Sequence, residues 1–130
     1  MNGFKKTTLT NTNQILFYTE PSAAVGVVVG NTGLTAGDDG KKILKAGTPL
    51  AGNLTARNTP FVKANTTGSS PKTSNAVGIL LHDVDVTEGN ENATMLIFGF
   101  VNLDRLESDT AALIDEAVIS ALNAKVTFLK

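Results

Sequence analysis

Between Ala76 and Leu106 the chain runs through a compact apolar stretch, a short acidic one, a polar turn and a second apolar stretch, an order few folds can accommodate. Ala76-Val77-Gly78-Ile79-Leu80-Leu81 is followed by His82-Asp83-Val84-Asp85-Val86, in which valine alternates with aspartate as on a pleated strand. Thr87 to Asn92 collects turn formers, with Gly89 free to take positive φ, and Met95-Leu96-Ile97-Phe98-Gly99-Phe100-Val101 resumes the apolar pattern. The spacing predicts an antiparallel pair, with the remaining elements arranged to cover one face of it.

The other segments extend this β reading. Gln14 to Glu20, carrying Ile15, Leu16, Phe17 and Tyr18, predicts a short strand stopped by Pro21, which cannot donate to a ladder, and Ala23 to Val29, free of polar residues, predicts a buried strand. Gly30 to Lys42 is a glycine-rich surface turn. Its Gly40-Lys41-Lys42 is not a phosphate loop, because Thr35 and Lys42 stand where that motif needs a glycine and a hydroxyl residue. Ile43-Leu44, a turn at Ala46-Gly47, an extended piece from Pro49 and a strand over Thr59 to Ala64 follow, and the loop from Asn65 to Asn75 has no apolar residue before Ala76.

After Leu106 the period changes. Leu113, Ile114, Ala117, Val118, Ala121 and Leu122 recur at the spacing of one helical face, predicting one helix that Ser108 or Asp109 caps and Asn123 closes. Lys125 to Leu129 predicts a final strand. The expected fold is α+β and predominantly β: a compact small sheet or barrel-like core of short strands, with one C-terminal helix packed on it. At 130 residues, 42% of them apolar, a single domain over residues 15–130 accounts for the core. Residues 1–14, dominated by Thr, Asn and Lys, predict a flexible N-terminal arm whose Thr7 to Thr12 has strand propensity suited to adding onto a partner's sheet edge. Phe4, Thr7, Thr8, Leu9 and Thr10 are the candidate docking residues.

Reactive chemistry is poorly supplied. The chain has no cysteine, which excludes disulfides, thiolate metal sites and cysteine nucleophiles. His82 is the single histidine, and on a strand its side chain points away from that of Asp83. Asp83, Asp85, Glu88 and Gly89 do not match the twelve-residue calcium loop, Gly68-Ser69-Ser70 lacks the context of a serine nucleophile, and Asp104, Glu107 and Asp109 read as a solvated approach to the helix. The expectation is a protein that is not an enzyme and takes no cofactor. A net charge of -1 without clustered Lys and Arg disfavours nucleic acid. No apolar run is long enough for a spanning helix, and the amino terminus lacks the apolar core of a signal peptide, so no membrane partner is expected and synthesis is expected in the cytoplasm.

Three stretches resemble one family. Lys45-Ala46-Gly47-Thr48-Pro49-Leu50-Ala51-Gly52, then Ala76-Val77-Gly78-Ile79-Leu80-Leu81-His82-Asp83-Val84-Asp85, then Gly99-Phe100-Val101-Asn102 are similar to the head decoration proteins of tailed bacteriophages, the lambda type. The likeness covers roughly residues 43 to 102. Between the first two stretches this chain has Arg57-Asn58-Thr59-Pro60-Phe61, where the family often carries a Thr-Gly-Lys-Tyr-like turn. The resemblance implies a homotrimer seated at threefold positions on the outer surface of the virion, bound to the major capsid protein and stabilising the head. It also implies an arm that orders on the shell. A small ligand or glycan binding module is the alternative, and it would need a pocket in which aromatic and polar groups converge. A hydrolase built on His82 with Asp83 or Asp85 is the third reading.

Overall fold

The computed structural model describes residues 15–68 and 72–130. They form a predominantly β, α+β domain with ten strands and two short helices. The strands are β1 (Leu16–Val29), β2 (Ile43–Leu44), β3 (Pro49–Ala51), β4 (Val62–Lys63) and β5 (Thr66–Thr67), then β6 (Thr73–Ser74), β7 (Gly78–Leu80), β8 (Val84–Asp85), β9 (Glu91–Asn102) and β10 (Val126–Leu129). The helices are α1 (Ser108–Ala111) and α2 (Glu116–Ala121), preceded by a 3-10 turn over Leu103–Arg105.

The hub is β9, which pairs antiparallel with β1 and β7 and parallel with β10. The main sheet runs β1-β9-β7-β3-β4, with β10 beside β9. The expected antiparallel pair is present as Ile79 opposite Leu96 and Leu80 opposite Met95, but Val84–Asp85 leaves it to pair with Ile43–Leu44 in a separate ribbon.

Both faces of the central pair are covered, where the sequence pointed to one. Leu96 and Ile79 join a cluster with Ile15, Val101, Leu106, Val118 and Leu122, whereas their chain neighbours Met95 and Leu80 join a second with Val27, Val29, Leu50, Phe61 and Val86. Adjacent residues of a strand point to opposite sides, so a run without polar interruption is what a strand buried on both sides requires. Helical segments cover one side. The other is covered by the sheet curling on itself. The chain before β4 reaches the outer edge of β1, where Phe61 N–H donates to the Val28 carbonyl at 2.7 Å and Gly30 N–H to the Phe61 carbonyl at 2.8 Å. These two bonds close the barrel-like core.

Two of the expected strands are one. β1 continues through the cis Glu20–Pro21 peptide, and the pairing moves from Tyr18 opposite Phe100 to Ala23 opposite Phe98, five residues against two. Pro21 lies in this irregularity, where the ladder asks for no donor. The valine-rich half of β1 is also less buried than its composition suggests: Val27 and Val29 are in the core, while Ala23, Ala24 and Gly26 are exposed, because β1 is an edge strand with one face on the interior.

The single helix expected over residues 108–123 is divided in two. Asp115 adopts an extended conformation and its carboxylate accepts from Val118 N–H at 3.0 Å, so it ends one helical segment and caps the next. Ile114, Ala117, Val118 and Leu122 still reach the core, which preserves the apolar spacing across the break. The left-handed residue after α2 is Ala124, with φ 67°, rather than Asn123.

Candidate docking surface

Six phenylalanines and one tyrosine are all the aromatic residues this chain has, and only Phe61 among them is fully buried in the described core. Three of the others meet on the β1-β9 pair, and a fourth is exposed beside them in sequence. Tyr18 lies opposite Phe100 in the β1-β9 register, with ring centroids 5.5 Å apart at 82°, and Phe17 packs edge-on to Tyr18 at 4.9 Å and 74°. Phe98, two residues before Phe100 on β9, sits opposite Ala23. Tyr18 is 53% exposed, Phe98 44% and Phe17 36%. Edge-to-face pairs give each ring about 0.5–1 kcal/mol, too little to offset leaving three large rings in water. Exposed aromatic side chains grouped in this way are a candidate interaction surface.

The edge of β1 adds a second feature. Its outer side is closed at Val28 and Gly30 by Phe61, and at Gly26 the Arg57 guanidinium donates to the carbonyl oxygen at 2.9 Å. No described strand lies along that side between Leu16 and Val25. This stretch of β1 and the aromatic side chains lie next to Ile15, whose carbonyl accepts from Asn102 N–H at 2.7 Å. The candidate docking residues Phe4, Thr7, Thr8, Leu9 and Thr10 lie outside the described residues. From sequence, Phe98 and Phe100 fall in the second apolar strand of the antiparallel pair with no separation of exposed from buried positions, so the patch is not among the candidate sites expected there.

The acidic groups around His82 are engaged in local structure. Asp83 accepts from Ala46 N–H at 2.8 Å and lies 3.7 Å from the Lys45 ammonium, which also pairs with Glu107 at 3.2 Å. Asp85 accepts from Thr87 N–H at 2.9 Å, and the Thr87 hydroxyl and N–H together hold its carboxyl below the ordinary value of 3.8. His82 is exposed, and among the described residues no three His, Cys, Asp or Glu side chains are grouped to hold a metal ion. The ion triad ties the turn after β2 to β8 and to the start of α1.

The Glu107 carboxylate holds the Lys45 ammonium above its ordinary value of 10.5, against the opposing effect of burial and with Asp83 assisting. A raised lysine stabilises the fold fully below its unfolded value and loses that contribution as pH climbs through the folded one. Lys45→Met therefore lowers stability by less than about 1 kcal/mol at pH 7, since the three groups are solvated. The same substitution flattens the fall in stability above pH 10.5, which urea unfolding at pH 7 and pH 11 measures.

In comparison with known proteins, the chain matches no protein-family model and none of the curated proteins.

Proposed function

We propose that this is a structural virion protein that seats on the outer surface of a tailed-bacteriophage capsid as a trimer and stabilises the head. The observation that carries the reading is the exposed aromatic patch of Phe17, Tyr18 and Phe98, with Phe100 beside Tyr18, on the β1-β9 pair next to the point where residues 1–14 join the domain. In this reading the arm and the patch form one continuous adhesive underside. The arm adds a strand to the capsid subunit through Phe4 to Thr10, and the rings cover apolar surface next to it. Each contact is modest. Three copies per trimer and many trimers per shell convert modest contacts into retention by avidity. The resemblance over residues 43 to 102 supports the same assignment, and so does the involvement of Asp83 and Asp85 in turns rather than in a convergent reactive group.

The test is co-sedimentation with undecorated, expanded heads of the parent phage. Deleting residues 2–13 leaves a folded protein that no longer pellets with heads, and Tyr18→Asp, at an exposed position, weakens pelleting by at least about tenfold with an unchanged melting temperature. Undiminished binding by both variants overturns the reading.

A further inference from the structure

Gly26 is a residue of β1 that the subunit alone does not explain. Glycine inside a strand is unfavourable relative to alanine, and the other described glycines each answer to a local constraint. Gly33, Gly40, Gly47, Gly68, Gly89 and Gly99 have positive φ, a Cβ at Gly30, Gly52 or Gly78 would come within 3 Å of a neighbour, and Gly37 lies in the turn between β1 and β2, outside any strand. At Gly26 φ is ordinary and a Cβ would find nothing within 4 Å. A strand glycine facing open space admits the close approach of another molecule.

What surrounds Gly26 describes that molecule. Gly26 lines an open groove of about 640 Å³ together with Leu54, Ala56, Arg57 and Asn92. Arg57 is its only charged lining residue, and among the described residues no carboxylate pairs with it. The groove thus offers a residue without a side chain, one exposed leucine, one cation and a polar surround of Thr55, Asn58, Thr59 and Asn92. Of the five large apolar side chains exposed in the domain, three belong to the aromatic patch and the remaining two are Leu54, at 38%, and Ile119, at 44%. Ile119 is on α2, one turn from exposed Glu116, which likewise has no ion pair among the described residues. Leu54 with Arg57 and Ile119 with Glu116 are complementary in charge, and each presents one exposed aliphatic side chain.

We infer that the groove over Gly26 receives α2 of a second copy of this chain, with Ile119 against Gly26 and Leu54 and Glu116 against Arg57. This rests on the trimeric reading above and supplies its subunit contact. The two surfaces lie on different parts of the domain: the groove runs along β1 near Val27 of one cluster, and α2 packs Ala117 and Val118 toward the other. A contact between unlike surfaces is head-to-tail, the kind a trimer uses, and it closes into a ring of three when each copy is turned by a third of a circle from the last. It also leaves the aromatic underside free for the capsid.

Sedimentation equilibrium on the full chain tests the contact. Gly26→Val leaves the subunit's melting temperature unchanged or higher, since the valine meets nothing in the subunit, yet weakens trimer formation at least about hundredfold. Arg57→Glu and Glu116→Arg each weaken it about tenfold, and the double variant returns to within a few-fold of the wild type. A wild-type trimer indifferent to Gly26→Val and showing no rescue in the charge swap overturns this contact and leaves capsid adhesion standing. A wild-type chain that is monomeric at every concentration and on heads overturns the contact and the trimeric reading together.

Discussion

Phe61→Ala lowers the stability of the domain by about 4 kcal/mol, the largest loss expected from any single core substitution here. Phe61 is fully buried in the cluster with Val29, Leu50 and Leu80, and its backbone makes both hydrogen bonds that join the chain before β4 to the outer edge of β1. Its ring also occupies the space that a side chain at Gly52 would need. Truncation to alanine keeps the backbone groups and removes the ring, leaving a void between strands that are held on both sides and cannot collapse into it. For a domain whose total stability is on the order of 10 kcal/mol, that is a substantial fraction, and the melting temperature falls by about 15 °C. Phe61→Leu, which fills much of the volume, costs about 1 kcal/mol. Urea unfolding with an unchanged slope checks both values. An equal, small loss in the two variants would show that the barrel does not depend on this closure.

Gly78→Ala is expected to cost about 3 kcal/mol, although it adds one methyl group. Gly78 is opposite Leu50 of β3, in a strand that pairs with β9 on its other side. A Cβ there would lie 2.6 Å from Met95 Cγ and 2.7 Å from the Leu96 carbonyl oxygen. Methionine can swing aside. The carbonyl belongs to the backbone of the hub strand, so relief requires β7 and β9 to separate. Gly26→Ala is the matched control: it adds the same methyl where nothing lies within 4 Å, and it leaves stability unchanged or raises it by up to about 1 kcal/mol. Comparable losses at the two glycines would contradict the packing described for the hub.

How much of this was legible in one dimension varies with the kind of interaction. The turn at Gly47, the strand start at Pro49, the turn at Gly89 and the apolar face shared by Ile114, Ala117, Val118 and Leu122 all depend on residues within a few positions of one another. Backbone conformation and periodicity act at that range, so the pattern carries them. The division of the helix at Asp115 was within reach as well, because an aspartate two residues after Leu113 can cap a new helix as readily as it decorates an old one. The candidate arm, Phe4 to Thr10, lies outside the described residues and stays a matter of composition.

Amino-acid order was sufficient for a cysteine-free, mainly β domain with a helical segment near its end, since those properties follow from residue type and local repeat. Pairing decided the rest. The uninterrupted runs at Val25 to Val29 and Met95 to Val101 look alike in order, yet β9 lies inside the sheet with apolar clusters on both sides while β1 is an edge with its aromatic start in water. Which strand is central is a property of long-range hydrogen bonding, and no residue in either run encodes the neighbour it will acquire. That is why the exposed surface of Phe17, Tyr18 and Phe98, and the open floor at Gly26, became visible only once the chain was folded.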